Sequence, residues 1–129
     1  MPRPQRLLIA DDSAAMRTLV REAIGHRFSE ILEAADGRDL LWTLMRSEVA
    51  SHEYPLVVSD LCMPGYDGLD VLEAWRDLYP THPTVLITAF PSQAIRERAA
   101  QLDIVLLAKP FSTSALRRVI EEVSDGDVG

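Results

Sequence analysis

Cysteine and long apolar runs are what this sequence most conspicuously lacks. Cys62 is the only cysteine in the chain, so no internal disulfide can form and a disulfide-rich secreted scaffold is excluded. No apolar stretch approaches the roughly 18 residues that a membrane-spanning helix needs. The first apolar run, at positions 7–10, is too short for the core of a secretory signal peptide. We therefore expect a cytoplasmic protein that does not enter a membrane.

Positive charge is also scarce. The chain has 13 Lys and Arg against 20 Asp and Glu, which gives a formal net charge of −7. Because binding to DNA or RNA phosphates relies on a basic face, we expect no direct contact with nucleic acid. The three histidines, His26, His52 and His82, lie far apart and lack the paired spacing of metal ligands. We interpret them as surface residues.

The residues that are present indicate one α/β domain. Hydrophobic residues make up 47% of the chain and charged residues 26%, which is enough to build a core. Short apolar runs predict strands at 7–10, 30–34, 56–60, 85–88 and 104–108. Each run is followed by helical periodicity, the last stretch beginning near Ser112. Five such βα units predict a parallel sheet covered on both faces, a doubly wound three-layer sandwich. We expect the domain to occupy 1–124, with 125–129 as a flexible tail or the start of a linker.

Polar residues stand where the predicted strands end. Asp11 and Asp12 follow the first strand, Asp60 ends the third, Thr88 ends the fourth, and Lys109-Pro110 follows the fifth. In a doubly wound sheet the functional site lies beyond the carboxyl ends of the strands, so these side chains should converge. Three neighbouring carboxylates repel one another, and a divalent cation relieves that repulsion. Carboxylate and carbonyl oxygens suit Mg²⁺ in octahedral geometry.

Such a site favours phosphoryl chemistry. One carboxylate can act as a nucleophile toward phosphorus, while a cation and a lysine stabilise charge on the phosphoryl oxygens. A nearby hydroxyl can then hydrogen-bond the phosphoryl group. The added charge can shift a loop between two arrangements.

This set of residues resembles the CheY-like receiver domain of bacterial response regulators. Further matches are Asp12-Ser13 leading into Met16-Arg17, the Ala35-Asp36-Gly37 turn, and the loop at 63–69. The resemblance covers about residues 6 to 124. It implies the flavodoxin-like strand order 2-1-3-4-5 and a switch in two-component signalling. Its partners would be a sensor histidine kinase or phosphotransfer protein and an unidentified downstream protein.

The resemblance also implies a role for each site residue. Asp60 would accept the phosphoryl group. Asp12 would bind Mg²⁺ directly and Asp11 mainly through water, with the backbone carbonyl of Cys62 as a further ligand and Mn²⁺ as a substitute ion. On the opposite side of the site, Thr88 would sense the phosphoryl group and Lys109 would pair with it. The Lys109–Pro110 peptide bond is expected to be cis.

One position departs from the family pattern. Most receivers carry an aromatic residue three positions before the lysine, where this chain has Leu106. A leucine cannot provide the ring movement that follows the threonine, so the output face would switch by another side chain or by a backbone shift. Cys62 and Phe90, each two positions after a site residue, are expected to tune water access. The bulk of Phe90 favours slow self-dephosphorylation.

Two alternatives remain open. A pseudo-receiver would act as a phosphorylation-independent interaction domain, and Leu106 is the feature that favours it. An aspartyl-phosphate hydrolase would instead need an Asp-x-Asp motif after the first strand, so we expect a regulatory switch and not an enzyme. The chain could be a stand-alone receiver or part of a longer regulator, and a monomer or a weak homodimer. Outside the site, Trp42 falls off its helix stripe and could be partly exposed to contact a partner or cap the core; we favour the core. We interpret Arg96, Glu97 and Arg98 as a solvated helix face.

Overall fold

The computed structural model describes residues 6–50, 55–61, 68–78 and 83–125. Strands and helices alternate along the chain. The strands are β1 (Arg6–Ala10), β2 (Glu30–Ala34), β3 (Leu56–Asp60), β4 (Thr84–Thr88) and β5 (Val105–Ala108). The helices are α1 (Ala14–Ile24), α2 (Gly37–Ala50), α3 (Gly68–Leu78), α4 (Gln93–Gln101) and α5 (Thr113–Asp125). A short 3₁₀ helix, Gly25–Arg27, follows α1.

All strand pairs in the sheet are parallel, in the order β2-β1-β3-β4-β5. The predicted doubly wound fold is therefore confirmed, including its strand order. The chain leaves β1 toward one edge of the sheet and then returns on the other side of β1 to form β3. In open α/β sheets a crevice forms where the direction of winding reverses, at the carboxyl ends of the two strands. Here that crevice lies between the ends of β1 and β3.

Hydrophobic packing covers both faces of the sheet. Successive side chains of β1 point to opposite faces, as in any strand. Leu8 lies in one buried cluster with Leu40 of α2 and Leu72 of α3. Leu7 lies in the other, with residues of α1 and α5 such as Leu116. β3 and β4 are buried along their whole length, which agrees with the apolar runs at 56–58 and 85–87.

Serine caps fix where three of the helices begin. Ser13 accepts a hydrogen bond from the Met16 amide at 3.2 Å, and Ser92 accepts one from Ile95 at 3.2 Å. Ser112 likewise accepts from the Ala115 amide at 3.0 Å, at the position where the sequence predicts an N-cap. These caps place the first turns of α1, α4 and α5 directly after strand ends. The regular turns of α1 stop at Ile24, and the 3₁₀ helix continues to Arg27.

One prediction about helix surfaces is wrong. Trp42 is 58% exposed on α2 and is not part of the core, whereas Trp75 on α3 is buried. Arg96 and Glu97 are exposed, as predicted, and the Arg98 side chain is 39% exposed. The Arg98 guanidinium also reaches α3, where its Nη2 lies 2.8 Å from Asp70 Oδ1 and pairs with Glu73. This contact ties α4 to α3, and it matters because Ala99 is the one buried residue of α4.

Some predictions concern residues outside the described ranges. They include His52 and His82, interpreted as surface residues, the loop residues Met63 to Asp67, and residues 126–129 of the predicted tail. Within the described ranges, no helix combines the length and the apolar character needed to cross a bilayer.

Candidate functional site

Three carboxylates meet at the carboxyl ends of β1 and β3. Asp11 and Asp60 are buried, at 3% and 9% exposure, while Asp12 is exposed. One carboxylate oxygen of each residue lies within 4.8 Å of a carboxylate oxygen of the other two. The structure thus brings Asp60 to the adjacent pair Asp11 and Asp12, from which the sequence separates it, as the parallel sheet predicts.

The backbone fixes the two buried carboxylates. The Asp11 amide donates to the carbonyl oxygen of Ala34 at 3.0 Å, which extends the pairing of β1 with β2 by one residue. Asp60 is the last residue of β3 and lies opposite Ile87 of β4. The next amide, that of Leu61, donates to the Ile87 carbonyl at 2.9 Å. Both aspartates therefore stand at points where strand hydrogen bonding continues just past the strand end.

Lys109 approaches this carboxylate cluster from β5. Its Nζ lies 3.3 Å from Asp60 Oδ2 and 3.6 Å from Asp11 Oδ2. Its backbone amide donates to the Thr88 carbonyl at 2.8 Å, which anchors the turn after β5 to the end of β4. The Lys109–Pro110 bond is cis, as expected. The ammonium group therefore faces both buried carboxylates.

Burial and charge act together on Asp11. Burial raises the pKa of its carboxyl group above the ordinary value, and repulsion from Asp60 and Asp12 raises the pKa further. A hydrogen bond from the Ser13 amide to Asp11 Oδ1, at 2.8 Å, and the charge of Lys109 lower the pKa without cancelling the rise. Burial is therefore the main reason that the pKa of Asp11 is raised.

The chemistry of these donors fits a hard divalent cation. Each of the three residues offers a carboxylate oxygen, the ligand type that Mg²⁺ prefers. The partly exposed side of the site, at Asp12, leaves room for the water ligands that Mg²⁺ usually keeps. Cys62, predicted to add its backbone carbonyl, lies outside the described residues.

Thr88 ends β4, and Phe90 lies two residues beyond it. Thr88 is buried at the end of β4, and its hydroxyl accepts a hydrogen bond from the Phe90 amide at 3.2 Å. The side chain of Phe90 is 84% exposed. Leu106 is half-buried and packs against the core cluster that contains Leu86. The position at which the family resemblance implies an aromatic side chain is therefore occupied here by a leucine that packs against the core.

Sequence reasoning missed the residues that support Asp11. Arg17 was noted only as part of a matched motif, yet its Nη1 donates to the Asp11 carbonyl oxygen at 2.6 Å. The same guanidinium donates through Nε to Glu33 Oε1 at 2.9 Å. Only the fold brings α1, β1 and β2 together at this point, so the spacing of these residues along the chain does not reveal the contact.

Known proteins share both the sequence pattern and the fold. Residues 7–121 match the family model for the response regulator receiver domain. A probable chemotaxis protein CheY of Rhizobium etli is 34% identical over 92% of this chain and 91% of its own length. The transcriptional regulatory protein PdtaR of Mycobacterium tuberculosis is 36% identical over 92% of this chain, which spans only 56% of PdtaR.

Structural similarity agrees with the sequence relationship. The structure of a CheX–CheY–BeF₃–Mg²⁺ complex from Borrelia burgdorferi matches with a TM-score of 0.83. That match is 20% identical and covers 94% of this chain and 90% of the other. The fold, the match to the family model and the identity to curated relatives lead to one conclusion. The chain belongs to the response regulator receiver domain family.

Proposed function

We propose that this chain is a phosphorylation-controlled binding module in which Asp60 accepts a phosphoryl group in a Mg²⁺-dependent reaction. The observation that supports it most directly is the carboxylate cluster at the sheet edge, with Lys109 Nζ 3.3 Å from Asp60 Oδ2. A carboxylate beside a fixed cation and an expected metal site has the surroundings that phosphoryl transfer needs.

Asp60 suits the role of nucleophile better than either neighbour. Asp11 is engaged through Oδ1 with the Ser13 amide and through its backbone with Ala34. Asp12 is exposed to solvent, where a carboxylate is well hydrated and less readily positioned. Asp60 is buried at the strand end and faces Lys109, so its oxygen is held in one place.

The proposed step exchanges one bond to phosphorus for another. A carboxylate oxygen of Asp60 forms the new P–O bond, and the P–N bond to the imidazole of a donor phosphohistidine breaks. The electron pair of that bond stays on the imidazole nitrogen. Bound Mg²⁺ would supply charge neutralisation for the carboxylates and the phosphoryl oxygens. Lys109 would stabilise the same oxygens, and the Thr88 hydroxyl would hydrogen-bond the product.

The partners follow from the same chemistry. The donor would be a histidine kinase or a phosphotransfer protein, and the acceptor of the signal would be a protein that binds the altered surface. The chain would catalyse only its own phosphorylation and dephosphorylation, so it would act as a switch without turnover of other substrates. The Borrelia complex, which contains CheY with BeF₃ and Mg²⁺, supports the use of the same two reagents as probes here.

Intact-mass measurement with a small phosphodonor tests the proposal. The protein is incubated with acetyl phosphate and Mg²⁺, and again with EDTA in place of Mg²⁺. We expect one phosphoryl adduct in the Mg²⁺ sample, none in EDTA and none in Asp60→Asn. Asp77→Asn, which changes an exposed carboxylate on α3, is the matched control and should be modified like the wild type.

Two results would contradict the proposal. An adduct of equal yield on Asp60→Asn would show that another residue is modified. If neither an adduct nor Mg²⁺ binding appeared, the phosphorylation-independent pseudo-receiver would become the better account of this domain.

A further inference from the structure

We propose that Arg17 is a positioning residue for the cation site, acting through the backbone of Asp11. The inference rests on the proposed function, because it concerns the same Mg²⁺ site. Arg17 does not itself face the three carboxylates that would hold the ion. Its guanidinium lies between the Asp11 carbonyl and Glu33, and it binds both.

The guanidinium makes two hydrogen bonds in different directions. Nη1 donates to the Asp11 carbonyl oxygen at 2.6 Å, and Nε donates to Glu33 Oε1 at 2.9 Å. Glu33 lies on β2, opposite Ile9 of β1, so its position is set by the sheet. Arg21, one turn further along α1, pairs with the other oxygen of Glu33. Glu33 thus orients Arg17, and Arg17 holds the turn between β1 and α1.

With this contact, every polar atom of Asp11 has a partner. Its amide donates to the Ala34 carbonyl at 3.0 Å, and its carbonyl accepts from Arg17. Its Oδ1 accepts from the Ser13 amide, and its Oδ2 lies 3.6 Å from Lys109 Nζ. Arg17 provides the only one of these contacts that comes from a side chain of α1.

The contact reaches Asp12 through a planar peptide unit. The carbonyl of Asp11 and the amide of Asp12 belong to the same peptide plane, so a donor that holds the carbonyl also sets the direction in which Asp12 leaves the strand. Asp12 is exposed and has little packing of its own to orient it. Mg²⁺ requires nearly ideal octahedral geometry, so the orientation of this carboxylate should affect its affinity.

Charge alone predicts the opposite effect on affinity, which makes the inference testable. A positively charged residue near a cation site repels the ion, so its removal should tighten Mg²⁺ binding on electrostatic grounds. Glu33 offsets that repulsion. Its pKa is lowered by the hydrogen bond from Arg21 and also by that from Arg17, so it is ionised at neutral pH. Positioning predicts instead that loss of Arg17 weakens binding.

Calorimetric titration with Mg²⁺ alone, without a phosphodonor, separates the two effects. We expect Arg17→Met to raise the Kd for Mg²⁺ by about 10-fold or more, the usual loss when a residue that orients a ligand is removed. Arg21→Met is the matched control, because it removes the same charge from the same helix and the same partner but does not touch Asp11. Its Kd should equal the wild-type value or be slightly lower.

A second readout follows the backbone in the metal-free protein. In ¹H–¹⁵N spectra recorded with EDTA, the Asp12 amide signal should move in Arg17→Met and stay in place in Arg21→Met. Arg17→Lys covers the case in which Arg17→Met fails to fold. This substitution keeps the positive charge, but one ammonium group cannot reproduce the paired hydrogen bonds to the Asp11 carbonyl and Glu33. Arg17→Lys should therefore also weaken Mg²⁺ binding.

The outcomes distinguish this inference from the proposed function. A wild-type protein that binds no Mg²⁺ would overturn both. A wild-type protein that binds Mg²⁺, together with folded Arg17 variants of unchanged or tighter Kd, would overturn the positioning role alone.

Discussion

Replacement of Asp11 by asparagine should stabilise the protein in the absence of Mg²⁺. Asp11 and Asp60 present oxygens within 4.8 Å, for which Coulomb's law gives a repulsion of about 3.5 kcal/mol or more at an effective dielectric constant of about 20. Lys109 Nζ, at 3.6 Å, offsets this with an attraction of about 4.6 kcal/mol at the same dielectric constant. Exposed Asp12 adds a smaller, solvent-screened repulsion, so the Coulomb terms nearly cancel.

The free-energy cost of burying the Asp11 charge therefore decides whether Asp11→Asn stabilises or destabilises the folded protein. Asp11 is 3% exposed, and burial is the largest cause of its raised pKa. Asparagine has nearly the same shape and its Oδ1 can still accept from the Ser13 amide, while its NH₂ group can donate to the neighbouring carboxylates. Lys109 keeps Asp60 as a partner, so the substitution leaves no unpaired buried ammonium. We expect a gain of about 1 to 2 kcal/mol, a size common for single stabilising substitutions. Each kcal/mol of stabilisation should raise the Tm by about 4 °C.

Thermal unfolding in EDTA, followed by circular dichroism from neutral to acidic pH, measures this gain. A carboxyl group whose folded pKa is raised costs stability above that pKa, and the cost disappears as the pH falls through it toward the unfolded value. The advantage of Asp11→Asn should therefore be largest at neutral pH and shrink in acid. Asp12→Asn, the same change at an exposed position, should give a smaller gain.

With added Mg²⁺, the wild type should become more stable than Asp11→Asn. The wild type would gain free energy by binding the ion, whereas Asp11→Asn would have lost part of the proposed site. An Asp11→Asn protein that melts at or below the wild-type Tm in EDTA at neutral pH would refute the reasoning, because burial of the charge would then carry no net cost.

Three further predictions concern the rest of the domain. Arg98→Met should cost about 1 kcal/mol or less and speed amide exchange in α4, because it removes the link to α3, whereas exposed Arg96→Met should not. Leu72→Ala, at a fully buried position, should cost about 2 to 5 kcal/mol in chemical denaturation, and Met45→Ala, which is 51% exposed, should stay within about 0.5 kcal/mol. Acrylamide should quench the fluorescence of exposed Trp42, so the remaining emission of Trp42→Phe should resist the quencher.

Much of the fold follows from local sequence. The predicted bounds of β2 and β3 coincide with the structure, because each is a short apolar or β-prone run between residues that favour turns. The convergence of Asp11, Asp60 and Lys109 was also predictable. Parallel strands place their carboxyl ends at one edge, so residues that follow different strands meet there whatever their separation in the chain.

Contacts between elements were not predictable in the same way. Trp42 lies off the apolar stripe of α2, and the sequence offers no rule for whether such a residue folds over the core or faces solvent. Arg98 reads as one charge among several on a polar helix, yet the packing of α4 beside α3 brings it to Asp70 and Glu73. Arg17 likewise acquires its role from the approach of β2 to α1. Each case depends on a distance across the fold and not along the chain.

Leu106 cannot provide the movement of an aromatic ring, so the backbone between β4 and α4 is the element that we expect to carry the conformational change. Leu106 packs into the core, so a large inward or outward movement of this side chain would disturb that packing. The Thr88 hydroxyl, in contrast, is already bonded to the Phe90 amide in the loop that leads to α4. A phosphoryl group on Asp60 that drew the Thr88 hydroxyl toward it would therefore pull this loop. Because Ala99 is the one fully buried residue of α4 and Arg98 pairs with α3 at a partly exposed position, we expect the response to appear as a backbone shift of the loop and α4.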